Sequence, residues 1–174
     1  MQSEKQLDKL RDFSTQLAER LKTAPVATGA SLRLALRIGS RAYLVEMASA
    51  GEIVPLGDVA PVPWTRPWYR GLTNVRGRLV GVIDLMQFSG GAPLGPDQAQ
   101  QLLVIGESLK SSAALIITRA FGLRNLKELE RLEAANDGSR PWERARYRDS
   151  DGTILTELDL ASLVAFERFS AIGA

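Results

Sequence analysis

The side chains that ordinarily run acid–base and covalent chemistry are missing from this sequence. Its 174 residues include no histidine and no cysteine. Without imidazole there is no ordinary general base near neutral pH, no usual zinc ligand and no phosphorylatable histidine. Without a thiol there is no thiolate nucleophile, no cysteine metal site and no disulfide, which suits a reducing compartment. Hydroxyl, amine and carboxylate groups remain. Lys110-Ser111-Ser112 brings an amine near two hydroxyls, but it reads as a hairpin loop and has no strand-turn-helix serine elbow. Gly90-Gly91-Ala92-Pro93-Leu94-Gly95 is glycine-rich, yet it lacks the Gly-Lys-Ser/Thr ending of a phosphate loop, and its proline removes an amide donor. Asp149-Ser150-Asp151-Gly152 opens like a calcium loop but has no third ligand before the glycine and no closing glutamate, so it reads as a turn. Asp84 is the odd residue in the apolar run Leu79–Leu85. An isolated buried carboxylate must be hydrogen-bonded or paired, so it reads as a satisfied structural aspartate at a strand end. The expectation is a protein with no catalytic residues, no metal site and no cofactor.

The formal net charge is +2, which gives no broad electrostatic reason to bind nucleic acid. Met1-Gln2-Ser3-Glu4-Lys5 leads into a charged pattern rather than an apolar signal core, and no stretch is apolar enough to span a bilayer. A cytoplasmic protein with no direct membrane insertion is expected.

Two periodicities organise the chain. In residues 4–22, Leu7, Leu10, Leu17 and Leu21 recur at three- and four-residue steps with Phe13 and Ala18 beside them, which predicts a helix; Pro25 and Gly29 then break it. From Ser31 the period becomes two. Leu32, Leu34, Leu36 and Ile38 alternate with Arg33, Ala35 and Arg37, a strand with one buried and one solvated face. Gly39-Ser40 suits a two-residue turn, and a return strand over 41–47 carries Tyr43, Val45 and Met47. The two units expected are therefore an N-terminal helical extension, 1–30, and a β domain, 31–174. Residues 1–24 should be removable without unfolding the latter.

Pro61, Pro63, Trp64, Pro67, Trp68 and Tyr69 mark an ordered loop. A hairpin follows, Leu72–Arg76, a Gly77-Arg78 turn and an apolar, central strand Leu79–Leu85. Leu102–Ile105 and Ala113–Thr118 form a third pair. Residues 124–135 are ambiguous, because Leu126, Leu129 and Leu132 have helical spacing amid strand-like neighbours. Asp151-Gly152 predicts a final hairpin, and Asp159 a cap for a closing helix carrying Leu160, Leu163, Val164 and Ile172.

The stretch Gly71-Leu72-Thr73-Asn74-Val75-Arg76-Gly77, continuing through Leu79-Val80-Gly81-Val82-Ile83-Asp84-Leu85, resembles the central signature of the CheW family. Tyr43–Met47 and Gly51-Glu52-Ile53 extend the resemblance upstream, and Gly152–Asp159 extends it downstream, to cover about residues 31–170. Pro67-Trp68-Tyr69-Arg70-Gly71 and the N-terminal extension are similar to the branch of that family found in type IV pilus (twitching motility) systems. The chain departs from the family pattern at Met86, where arginine is frequent, and at Thr118, where Val-Asp is usual.

The resemblance implies a mainly β fold of two SH3-like five-stranded β-barrel lobes sharing a core, with helices at both ends. It implies a non-enzymatic adaptor that couples the cytoplasmic tip of a methyl-accepting chemoreceptor to the regulatory domain of a CheA-type histidine kinase, recruited to membrane receptor arrays. It places a receptor-binding surface at Glu52, Gly71, Asn74 and Arg76, with Glu52 and Arg76 close enough to pair. Trp64, Trp68 and Tyr69 are candidate partner-contact aromatics. They also support the competing reading, a generic SH3-like peptide-binding module with an aromatic groove.

Overall fold

A computed structural model describes residues 31–134 and 138–174. The expected helix over residues 4–22 lies outside the described residues. The alternation at Leu32–Ile38 forms strand β1, and Gly39, at φ +58°, turns the chain into β2 (Arg41–Glu46), paired antiparallel with Leu36 opposite Tyr43. β2 is buried on both faces: Ala42, Tyr43, Leu44 and Val45 are all buried, whereas Met47 lies past its end and is exposed. The opposite face of β1 is not simply solvated either, because Ala35 is fully buried.

The remaining strands are β3 (Ala50–Pro55), β4 (Tyr69–Val75), β5 (Arg78–Ile83), β6 (Gln101–Ile105), β7 (Ala113–Ile117), β8 (Arg119–Asn125), β9 (Glu130–Ala134), β10 (Glu143–Arg148) and β11 (Ile154–Leu158). They make two sheets. One has six strands in the order β8-β1-β2-β11-β10-β9, and the other five in the order β3-β6-β7-β5-β4. All pairs are antiparallel except β2 with β11 and β5 with β7.

Two sheets around a shared core were expected, and that is what forms. Leu36, Ile38, Tyr43 and Val45 of the six-stranded sheet and Val80, Val82, Leu103 and Leu115 of the five-stranded one fall in a single apolar cluster. A smaller cluster, including Ala35, Leu44, Tyr147 and Leu155, fills the other face of the six-stranded sheet. Each fully buried Leu or Ile contributes about 1.5–3 kcal/mol relative to exposure.

The strand count differs from five plus five, and neither strand order closes on itself. The sixth strand comes from the stretch whose periodicity was ambiguous. There β8 runs to Asn125, whose side chain accepts from the Lys127 amide and starts one 3-10 turn over Leu126–Glu128 before β9 begins. Cross-strand pairing of β8 with β1 and of β9 with β10 outweighs the helical spacing of the leucines.

β5 is shorter than the run Leu79–Leu85 suggests. It stops at Ile83, because Asp84 caps a four-residue helix, Leu85–Phe88, and Leu79 faces solvent. Asp84 is fully buried and fully used: its carboxylate accepts from the Leu94 amide at 2.8 Å, the Gln87 amide at 3.1 Å and the Arg70 guanidinium at 3.4 Å. The loop 89–95 is thereby tied back over the helix. Asp159 caps as expected, accepting from the Ser162 amide at 3.0 Å, but the closing helix is broken at Phe166 into Leu160–Ala165 and Glu167–Ser170. Ile172 follows the second piece and packs on the core.

Candidate functional site

At the tip of the β4–β5 hairpin, Arg76 (φ +52°) and Gly77 (φ +83°) form a two-residue turn with both residues left-handed, the twist-matched geometry for a tight hairpin. Arginine is an unusual residue there, since a Cβ makes the left-handed region costly by roughly 1–2 kcal/mol. Asn74 offsets part of that cost, its side-chain oxygen accepting from the Gly77 amide at 2.8 Å. The turn lifts the Arg76 side chain into solvent, 79% exposed, and its Nε lies 2.7 Å from a carboxylate oxygen of Glu52 on β3.

β3 and β4 are the two edges of the five-stranded sheet, so this ion pair joins edges that no ladder joins. The segment after β3 makes the same connection with better-shielded bonds. Ala60 and Leu72 exchange backbone hydrogen bonds of 2.8 and 2.9 Å, and the Thr73 hydroxyl donates to the Asp58 carbonyl at 2.8 Å. Gly71 permits this approach. It sits at φ +134°, and a Cβ there would lie 2.1 Å from the Ala60 oxygen.

The four residues expected at the binding surface therefore do different work. Glu52 and Arg76 present charge to solvent, Asn74 holds the turn, and Gly71 lets the sheet edges meet. The Asp58–Ala60 clamp was not anticipated; the only trace of it in the sequence is Gly71, whose need for close approach names no partner.

The three candidate aromatics separate. Trp68 is 2% exposed, its ring edge-on to Phe88 with centroids 4.9 Å apart, and Phe88 also packs against Trp142 and Phe169. Tyr69 is half-buried against Gly81, and burial raises its hydroxyl pKa above the ordinary tyrosine value. Trp64 stands in solvent at 89% exposure, with φ +60°. An aromatic groove built from all three, which the generic peptide-binder reading needs, is not what these side chains form. Tyr69, Leu79 and Ile83 of the five-stranded sheet, with Val164, Phe169 and Ile172 of the C-terminal segment, do line a largely apolar groove of about 470 Å³.

The motifs weighed for chemistry have structural partners. Asp149 accepts from Arg124 at 2.7 Å, which holds its carboxyl below the usual range, and Asp151 accepts from the Thr153 amide at 2.8 Å, closing the β10–β11 turn. Lys110 adopts a left-handed conformation at the end of a 3-10 turn, and the Ser112 carbonyl accepts from the Gly81 amide.

Comparison with known proteins agrees with this geometry. The chain is 32% identical to Protein PilI of Pseudomonas aeruginosa over 108 residues, covering 59% of this chain and 60% of that protein's length. It is 20% identical to Chemotaxis protein CheW of Thermotoga maritima over 132 residues, 75% of this chain and 85% of that one. The fold is similar to that of the scaffolding protein TtCheW from Thermoanaerobacter tengcongensis, with a TM-score of 0.61 at 16% identity, covering 74% of this chain and 88% of that one. The profile of the CheW-like domain matches residues 33–168, most of the chain and both sheets, and the chain belongs to the CheW-like domain family.

Proposed function

We propose that this protein is a non-enzymatic adaptor that couples a chemoreceptor's cytoplasmic tip to the regulatory domain of a CheA-type histidine kinase, in a chemosensory system controlling type IV pili. The observation that carries the reading is the exposed Arg76–Glu52 pair, set on a left-handed turn where arginine contributes little to folding. An ion pair this exposed stabilises by only about 0–1 kcal/mol, so stability is a poor reason to hold arginine at such a position. A guanidinium fixed in orientation by one carboxylate can offer its remaining donors to a carboxylate or carbonyl of a partner. Glu52 and Arg76 are the contacts in this reading, Gly71 and Asn74 shape the backbone that presents them, and Trp64 and Tyr69, away from this turn toward the other end of β4, are candidate contacts of a separate patch. The work done is concentration: one protein holding two others raises the local concentration of kinase at the receptor without a chemical step. Receptor state changes kinase output only where the contacts differ between states. In this reading, recruitment to membrane receptor arrays follows from the receptor contact.

The test is calorimetric titration of the protein with a receptor cytoplasmic fragment. Arg76→Glu should keep its circular dichroism spectrum and lose at least about tenfold in affinity. Glu52→Arg should act similarly, and the double exchange should recover part of the loss, because paired residues are not additive. Unchanged affinity in folded Arg76→Glu rejects the assignment. Residues 1–24 should be removable without unfolding the β domain, read from a cooperative unfolding transition of a chain lacking them. The purified protein should show no hydrolase, kinase or phosphate-acceptor turnover.

A further inference from the structure

A second charged surface lies on the other sheet. Where the Gly39-Ser40 turn meets the start of β11, Arg37, Ser40, Arg41, Arg146, Thr153 and Thr156 line a pocket of about 400 Å³ that includes no carboxylate among the described residues. Strand order brings these residues from distant sequence to one pocket: Arg37 is opposite Ala42 in the β1–β2 pair and Arg146 is opposite Thr156 in the β10–β11 pair, in adjacent cross-strand rows. Among the described residues, nine arginines have a carboxylate within ion-pair distance. Arg41 is one of them, its two terminal nitrogens donating to Glu143 at 2.9 and 3.2 Å. Arg37 and Arg146 have no ion pair among the described residues. The Nε of Arg37 is also out of contact with water and donates to nothing. Arg119 of β8, likewise without an ion pair among the described residues, stands directly opposite Arg37 in the β1–β8 register. Like charges directly opposite one another destabilise a ladder, and a buried donor left unmade costs free energy. Arg37 and Arg146 thus line the pocket without a paired carboxylate, and Arg119, outside the lining, adds its like charge beside Arg37, a cost that an anion at the pocket reduces.

We infer that this pocket docks a carboxylate-bearing, acidic segment of a protein partner, at a site separate from the Arg76–Glu52 turn. Guanidinium forks match carboxylates bidentately, and the Ser40, Thr153 and Thr156 hydroxyls supply further hydrogen bonds. No aromatic side chain lines the pocket, so there is nothing on which a nucleotide base would stack. The spread of the charges, with Arg119 and Arg146 on strands at opposite sides of β1-β2-β11, suits several carboxylates along a chain better than one compact oxyanion.

The probe is a fluorescein-labelled hexaglutamate peptide, followed by anisotropy with the full chain at low salt, with the hexaglutamine peptide as control and inorganic phosphate as competitor. The acidic peptide should bind saturably and weaken as salt rises, the glutamine peptide should not bind, and phosphate should not displace it at comparable concentration. Arg146→Gln and Arg37→Gln should each weaken binding by about tenfold, whereas Arg78→Gln, on the other sheet and paired with Glu107, should leave it unchanged. Arg146 is exposed, so its variant reports on binding even if Arg37→Gln proves unstable. Absence of saturable binding at low salt, or equal binding by Arg146→Gln, overturns the inference. Displacement by phosphate at comparable concentration also overturns it, since the site would then serve a compact oxyanion.

Discussion

Replacing Gly71 with alanine tests whether the closure between the edges of the five-stranded sheet rests on one missing methyl group. The new Cβ would lie 2.1 Å from the Ala60 oxygen and 2.7 Å from its carbonyl carbon, far inside contact distance and against backbone that cannot rotate away. Two responses are open. The 58–60 segment can retreat, giving up the paired Ala60–Leu72 hydrogen bonds and the Thr73–Asp58 bond, or Gly71 can leave φ +134° and distort β4. Three hydrogen bonds at roughly 1 kcal/mol each, or a strained backbone at about 1–3 kcal/mol, put the loss near 3 kcal/mol. For a domain of this size that is a fall in Tm on the order of 10 °C. The measurement is urea unfolding followed by tryptophan fluorescence, with Gly77→Ala as the reference. Gly77 also has a positive φ, +83°, but a Cβ there meets nothing within 4 Å, so its variant carries only the dihedral cost of about 1 kcal/mol. The difference between the two contains the crowding against Ala60 together with the larger dihedral cost of alanine at φ +134°. If Gly71→Ala loses no more stability than Gly77→Ala, the close approach is not what requires glycine, and the reasoning fails.

Two further outcomes follow from buried polar groups. Asp84→Asn should cost about 2–4 kcal/mol, because all three partners of the carboxylate are donors and the new amide must point its own N–H groups at one of them; equal midpoints in denaturant for the two proteins would show that the site relaxes without cost. Burial pushes the Tyr43 hydroxyl from 10.0 up to about 12, with Arg41 opposing and Glu143 reinforcing the shift. The folded protein therefore holds this proton where the unfolded chain releases it. Stability linked to Tyr43 is complete below pH 10 and is lost as pH rises to about 12, in total about 2–3 kcal/mol. Subtracting the pH profile of Tyr43→Phe from that of the unaltered protein should leave this slope, and a flat difference would refute it.

Local physics made much of this protein legible before any coordinates. Period-two alternation located β1 and β2, Gly39-Ser40 and Asp151-Gly152 located the β1–β2 and β10–β11 turns, and Asp159 announced a cap, because strand faces, left-handed turns and unsatisfied helix amides each demand particular residues within a few positions. Asp84 read only as a satisfied structural aspartate, and the cap it makes for Leu85–Phe88 came from the fold. The hairpin of β4 and β5 was legible too, although its turn falls on Arg76-Gly77 and not on the expected Gly77-Arg78. What lay beyond reach depended on residues distant in sequence. The fate of 119–134 was decided by β1 and β10, whose ladders overrode helical leucine spacing. Trp68 and Trp64, four positions apart in one aromatic loop, went to the core and to solvent because only tertiary packing assigns a loop side chain its neighbours. The contact of Ala60 with Gly71, and the shared lining of one pocket by Arg37 and Arg146, are set by sheet order and register. A pocket or an edge closure is a property of strands brought together, and no segment of the chain carries it alone.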